Sequence, residues 1–274
     1  MKIAVMSDIH GNYIALQRCL AHALEQNVDA YIFLGDYLGE FPYPQRTLEI
    51  LYELKQNASC IFIRGNKEDY WLNRRKDQNC DWKSGNRSVM AMIYNYNSLN
   101  AKDLDFFETL PISQSIRFAG MEPVLACHGT PFENQKALLS EELFVQKCEE
   151  RYIICGHTHM QGFVSDGKKR IINAGAVGVP LKSPKKTQYM ILTSDGKDWK
   201  PEFLSLEYDV DTVIKEIHES GLWDASPYWC RITEHLLDTG ELPHGTVLNH
   251  VMKLNDYQDL WYNIADSYWE KALD

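Results

Sequence analysis

The chain has 274 residues, is 45% hydrophobic and 24% charged, and carries 28 Lys and Arg against 38 Asp and Glu, a net charge of −10. That composition suits a globular protein with a sizeable core and excludes a disordered chain. No apolar run approaches the ~20 residues needed to cross a bilayer, which argues against a membrane protein. The acidity is uneven: residues 210–274 hold 4 basic and 12 acidic side chains, and the remaining 209 hold 24 and 26. The first part is therefore close to neutral, so the overall charge says little about its partners.

The chain enters an apolar segment at Ile3–Met6, with no signal-peptide architecture before it, which predicts a cytoplasmic protein. Seven cysteines without a CxxC pair fit reduced, mostly buried thiols in that compartment. Short apolar runs then recur, each followed by Asp, Asn, Gly or His. They are Ile3–Met6 before Ser7-Asp8, Tyr31–Leu34 before Gly35-Asp36, and Cys60–Ile63 before Arg64-Gly65-Asn66. Val124–Cys127 precedes His128-Gly129, Tyr152–Cys155 precedes Gly156-His157, and Ile171-Ile172 precedes Asn173-Ala174-Gly175. Such runs predict strands buried on both faces, with Tyr189–Thr193 and Phe203–Tyr208 as further strands.

Helical spacing of apolar residues predicts helices over Tyr13–Gln26 and Tyr43–Lys55, and residues 70–109 read as largely helical and irregular. That stretch carries a basic cluster of Arg74, Arg75, Lys76, Lys83 and Arg87. Strand–helix alternation implies an α/β fold with functional groups where strands end. From Asp211 onward the pattern is helical, with Asp209 or Asp211 as the N-cap and four tryptophans, Trp223, Trp229, Trp261 and Trp269. The composition shift divides the chain into residues 1–208 and a helical extension, 209–274.

The strand ends collect metal-ligand residue types: Asp8-Ile9-His10, Gly35-Asp36, Gly65-Asn66, His128-Gly129 and Gly156-His157-Thr158-His159. In extended backbone, residues two apart share a side, so Asp8 can converge with His10 and His157 with His159. Seven such side chains at adjacent strand ends need neutralising, and bound cations would do it. Cys127 and Cys155 adjoin these histidines but read better as packed thiols.

In order and spacing, the series DIHGN, GDYLG, GNKED, HG and GHTH resembles the calcineurin-like metallophosphoesterase superfamily, nearest its compact bacterial and archaeal phosphodiesterase branch. The resemblance covers residues 1 to about 208. It implies a four-layer αββα sandwich of two mixed β-sheets flanked by helices, with the helical extension outside the shared pattern. It also implies two metal ions, of the Mn²⁺, Fe or Zn²⁺ kind. One would be held by Asp8, His10, Asp36 and His159, and the other by Asp36, Asn66, His128 and His157. Asp36 would bridge them together with a water or hydroxide that attacks phosphorus in line, and Asp36, Asn66, Lys67 and His128 would surround the reaction. Two cations ~3.5–4 Å apart make hydroxide available near neutral pH and clamp phosphoryl oxygens.

Many members of the superfamily place a histidine after the asparagine ligand; here the residue is Lys67. An ammonium of pKa near ~10.4 is a poor general acid but a good clamp for phosphate. This favours leaving groups that depart as stable anions, as in nucleoside polyphosphates and activated diesters. Alternatively, Lys67 pairs with Glu68 or Asp69 at the surface. Asn12 either contacts a phosphoryl oxygen or caps the first helix. Arg74, Arg75, Lys76 and Arg87 either flank an anionic substrate or form a solvated face, and Lys182, Lys185 and Lys186 carry the same ambiguity.

The reading is a metal-dependent phosphodiesterase or dinucleotide polyphosphate hydrolase, with Asn12, Lys67 and Arg87 as candidate substrate contacts. A Ser/Thr-type protein phosphatase is the alternative enzyme, and a non-catalytic scaffold on the same fold is the alternative from another class. The tail is expected to act as a lid or flank that narrows substrate choice, or as a homodimer contact. No long basic stripe is present, which disfavours nucleic acid as a partner. Neither GxGxxG nor GxxxxGK[ST] occurs, so dinucleotide cofactors and P-loop chemistry are unsupported.

Overall fold

A computed structural model describes residues 1–77, 82, 87, 89–138, 145–196 and 198–274. Lys83, in the basic cluster, lies outside these residues. The described strands are β1 (Lys2–Met6), β2 (Ala30–Phe33), β3 (Cys60–Phe62), β4 (Ser113–Ile116), β5 (Val124–Cys127), β6 (Tyr152–Cys155), β7 (Gln161–Ser165), β8 (Arg170–Ala174), β9 (Lys186–Ser194) and β10 (Trp199–Glu207). The helices are α1 (Tyr13–Glu25), α2 (Pro44–Asn57), α3 (Asn66–Lys76), α4 (Met90–Asn97), α5 (Ala101–Thr109), α6 (Val210–Glu219), α7 (Leu222–Ala225), α8 (Pro227–Thr239), α9 (His244–Leu254) and α10 (Asp266–Leu273). Their order gives two five-stranded mixed sheets flanked by helices.

The first sheet runs β10-β9-β1-β2-β3 and the second β4-β5-β6-β8-β7. At the centre of the first, β1 pairs in parallel with β2, and β2 with β3, while β9 joins β1 antiparallel. In the second, β5, β6 and β8 are parallel, and β4 and β7 are antiparallel edges. Ile3, Val5 and Ile32 of one sheet meet Val124, Tyr152 and Ile154 of the other in a buried apolar layer between them. Such facing apolar rows are what bind two sheets into a sandwich.

The other face of the first sheet, through Met6 and Phe33, packs on Leu16 and Cys19 of α1 and Leu48 and Leu51 of α2. Leu125, Cys127, Ile153 and Cys155 form a smaller cluster on the outer face of the second sheet. Cys127 and Cys155 are buried in that cluster, packed thiols as expected.

The tail does not stand apart. Val213, Ile217, Trp229, Leu236 and Trp269 share one core cluster with Phe41, Ala91, Ala176 and Val179. Asp209 caps α6, its carboxylate accepting from the Thr212 N–H at 3.0 Å. None of the described helices is long and apolar enough to cross a membrane.

Candidate metal centre

All five motif loops leave the carboxyl ends of parallel strands. Asp8 and His10 follow β1, Asp36 follows β2, Asn66 opens α3 after β3, His128 follows β5, and His157 and His159 follow β6. Both sheets deliver these ends to one edge of the sandwich, which is why residues far apart in sequence meet there. Cross-loop hydrogen bonds lock the arrangement: Asp8 N donates to Gly35 O at 3.0 Å, His10 N to Asp36 O at 2.9 Å, and Gly156 N to His128 O at 2.9 Å.

The local geometry differs from the extended backbone inferred from sequence. Asp8, His10, Asp36, His157 and His159 all have left-handed φ, between 53° and 67°. Asp and His tolerate this region better than most residues, but it is uncommon outside glycine. Asp8 and His10 therefore converge because two left-handed turns bring them round, and the same holds for His157 and His159. Two glycines make room. Gly35 has φ +98°, and a Cβ there would lie 2.4 Å from Gly65 N. A Cβ on Gly156 would lie 1.9 Å from Ser7 Oγ and 2.5 Å from Asp8 Oδ2.

The structure brings together all seven side chains. Asp8 Oδ1 lies 3.3 Å from His159 Nε2, 3.7 Å from His10 Nε2 and 3.9 Å from His128 Nε2. Asp36 spans the set with two oxygens, Oδ2 at 3.7 Å from His10 Nε2 and Oδ1 at 3.5 Å from His128 Nε2. Asn66 Oδ1 lies 3.0 Å from both His128 Nε2 and His157 Nδ1. Such separations suit pairs of atoms that each sit about 2.0–2.2 Å from a shared ion. Asp8, His10 and His159 form one such cluster, and Asp8, Asp36 and His128 another.

The polar bookkeeping fits cations. Asp8 Oδ1 and His10 Nε2 are buried and have no hydrogen-bond partner. The His10 Nδ1–H donates to Glu40 Oε2, so its Nε2 lone pair faces the two aspartates. The His128 Nδ1–H donates to Leu34 O at 2.8 Å, so its Nε2 lone pair faces Asn66 Oδ1. Lone pairs aimed at one another call for a positive charge between them. Carboxylate, amide and imidazole donors suit Mn²⁺, Fe or Zn²⁺.

Without such ions the field of the site shows in its titration. Burial raises the Asp8 carboxyl, but His159, His128 and His10 outweigh it and hold it well below the usual carboxylate range. Burial lowers His10, yet Glu40, Asp8 and Asp36 lift it to about 10. His157 is depressed by burial and by His128.

Two buried carboxylates support the donors, Glu68 from within the GNKED motif and Glu40 just beyond GDYLG. Glu40 is buried, orients His10 and accepts from Lys67 Nζ at 2.8 Å. Glu68 is also buried and accepts from the N–H groups of Asp36, Tyr37 and Gly65 at 3.0, 2.9 and 2.7 Å. Burial and the Asp36 charge push its carboxyl up to about 7.

Lys67 pairs with Glu40, which settles its surface alternative. Glu68 is occupied by backbone, and Asp69 faces Arg64 and Asn134. Asn12 is a cap: its Oδ1 accepts from Ala15 N at 3.1 Å, and its Nδ2 donates to Gly178 O and the Tyr208 hydroxyl. Arg87 lies beside Asp266 at 3.6 Å, and Lys185 beside Asp238 at 3.0 Å. The structure brings none of Asn12, Arg87 and Lys185 to the cavity described next. Arg75 likewise bonds Asp105, at 2.7 Å.

A cavity of about 330 Å³ opens over the donors. One wall holds His10, Asp36, Asn66, Lys67, His157 and His159, and the tail supplies Trp229, His244, Leu248 and Trp261. Sequence reasoning missed His244. Its Nε2 meets Thr233 Oγ1 at 2.9 Å; that hydroxyl donates to Trp229 O, so the imidazole is the donor. Burial, with the Lys67, His10 and His159 charges, pushes its pKa down to about 3 despite Glu40, so it stays neutral. A cavity of about 720 Å³ between α8, α9 and α10 holds none of the seven donors.

Comparison with known proteins gives the family of the chain. Residues 1–197 match the family model of the calcineurin-like phosphoesterase superfamily domain. An uncharacterized protein of Methanocaldococcus jannaschii is 27% identical over 247 residues, covering 83% of this chain and 94% of that one. The fold resembles a hypothetical protein from Pyrococcus horikoshii (TM-score 0.71, 18% identity, 88% of this chain and 98% of that one). It also resembles a metallophosphoesterase from Sphaerobacter thermophilus (TM-score 0.67, 22% identity, 86% and 99%). The chain belongs to the calcineurin-like phosphoesterase superfamily, metal-dependent hydrolases of phosphoric esters.

Proposed function

We propose that the chain is a two-metal hydrolase of phosphodiester or phosphoanhydride bonds, with dinucleotide polyphosphates as its favoured substrate class. The observation that carries this reading is the buried, unpartnered Asp8 Oδ1 facing three histidine nitrogens. Asp8, His10, Asp36 and His159 would hold one ion, and Asp36, Asn66, His128 and His157 the other. When bound, the pair supplies a hydrolytic nucleophile near neutral pH and neutralises charge on the phosphoryl oxygens.

The surrounding residues bear on the substrate. Burial alone would lower the Lys67 ammonium, but Glu40 and Asp36 outweigh it and hold its pKa above the ordinary value. Lys67 therefore binds phosphate oxygens as a fixed charge. Among the described residues lining the cavity, setting aside the seven donors, none is an acid poised near neutrality: Lys67 stays charged, Glu40 is held ionised, and His244 stays neutral. General acid catalysis is worth roughly 10²–10⁴-fold, so leaving groups that must be protonated lose that help. The tail roofs the cavity with Trp229, Leu248 and Trp261, which favours a small substrate over the surface of a phosphoprotein.

The test compares Mn²⁺-loaded wild type with Asp36→Asn on diadenosine tetraphosphate, a bis-aryl phosphodiester, glycerol phosphate and a phosphopeptide. The expected result is turnover of the first two at least about 10²-fold above the others, and loss of that turnover in the variant. Equal rates on the alkyl monoester or phosphopeptide, or a fully active Asp36→Asn enzyme, would sink the reading.

A further inference from the structure

A second cavity, of about 340 Å³, adjoins the first, and Tyr70 and Trp261 line both. Its walls are aromatic, with Trp82 and Tyr262 completing them, and Asn73 and Asp77 stand at its polar rim. We propose that this aromatic cavity binds a nucleobase carried by the phosphorylated substrate, while the phosphate chain lies over the metal centre next door. The inference rests on the phosphoesterase reading and adds to it a base-recognition site.

The placement follows from α3. Asn66 begins the helix at the metal centre, and Tyr70 lies one turn farther along, about 6 Å away at 1.5 Å per residue. Asn73 and Arg74 come after a second turn, roughly 11 Å from Asn66. One helix face therefore measures out an amide at the donors, a phenol at the junction and polar groups at the far rim. That spacing suits a nucleotide lying lengthwise, with its phosphates at Asn66 and its base beyond Tyr70.

The opposite wall comes from a 3₁₀ turn of the tail, Trp261–Asn263. The Trp261 and Tyr262 rings stand 5.5 Å apart at 78°, offering a flat face beside an edge. Trp82 meets Trp71 edge-on at 6.1 Å, and the Arg74 guanidinium lies 5.9 Å from the Trp82 ring centre. A planar, electron-poor ring gains from aromatic faces on either side, and stacking of this kind tolerates any base. The Asn73 amide carries both a donor and an acceptor suited to a base edge. Ligand cavities run from about 300 to 1,000 Å³, so each chamber alone is small, and joined they reach the middle of that range. Half-buried aromatic rings often merely pack. Here four of them line an open chamber that shares Tyr70 and Trp261 with the cavity over the donors.

Binding is read on metal-free protein by calorimetry, comparing adenosine 5′-monophosphate with ribose 5-phosphate. The two ligands share the phosphate and sugar, so the ratio of their dissociation constants isolates the base. Wild type is expected to prefer the nucleotide by roughly five- to hundredfold, the range base stacking supplies. Trp261→Ala should bring the ratio to about one, and Tyr262→Ala, whose ring lines only the second cavity, should lower it several-fold. Trp261→Phe keeps a stacking face and should retain most of the preference, which separates a lost contact from a collapsed fold. A wild-type ratio near one, or an undiminished ratio in both alanine variants, would overturn the site. Because no turnover is involved, an active phosphoesterase without base preference would defeat only this inference. A chain that binds the nucleotide yet hydrolyses no ester would defeat the catalytic reading.

Discussion

At the scale of single residues, the buried histidines and carboxylates are oriented by partners outside the metal motifs. Glu40 fixes the His10 ring by accepting its Nδ1–H and at the same time holds Lys67. Partners that orient a metal-bound imidazole are typically worth 10–100-fold in metal affinity. Glu40→Gln should therefore weaken Mn²⁺ binding by about 10- to 100-fold in a calorimetric titration, with the fold intact. Unchanged affinity would show that His10 needs no such orientation. The seven donors were legible in sequence because each follows a strand in a recognisable order. Glu40 was not, because it lies farther along the loop after β2, past the strand end that carries Asp36, and its contact with His10 spans thirty residues. Extended geometry also misdescribed how Asp8 and His10 converge, since alternation stops at the strand end and left-handed turns take over.

At the scale of elements, the strands most visible in sequence are the interior ones. β1, β2, β5 and β6 are apolar and almost wholly buried, so they stand out as continuous runs. β4 and β7 escaped notice because they are the edges of the second sheet and largely exposed, with sequences SQSI and QGFVS. An edge strand has only one ladder and little apolar surface to signal it. The turns between strand and site tolerate little. Gly156→Ala would push a Cβ into Ser7 and Asp8, and such overpacking should cost about 1–3 kcal/mol in denaturant unfolding. An undisturbed midpoint would mean that the β6 turn yields more readily than its contacts imply.

The start of α9 carries a test in pH. His244 titrates near 6.5 when unfolded and near 3 when folded, so between those values the unfolded chain binds the extra proton. Its neutral state therefore leaves stability intact above about 6.5, and stability falls as pH drops from there toward 3. In metal-free protein, His244→Gln should flatten that part of the stability profile. Identical slopes in the two proteins would show that the imidazole charges freely in the fold.

For the whole molecule, the net charge of −10 separates into a nearly neutral first part and an acidic tail that is structurally continuous with it. The tail's helical character and its abundance of tryptophan were readable from residue pattern, and its cap was narrowed to Asp209 or Asp211, of which the structure uses Asp209. Where those rings go was not, because that depends on tertiary packing. Trp269 is fully buried, while Trp229 and Trp261 reach the metal cavity together with His244. The extension thus completes the site that the five strand-end loops begin. The central claim is that these loops hold two metal ions sharing Asp36, and anomalous diffraction from Mn²⁺-soaked crystals tests it most directly. The account predicts two peaks about 3.5–4 Å apart with Asp36 between them. A single peak, or peaks placed away from Asp36, would contradict it.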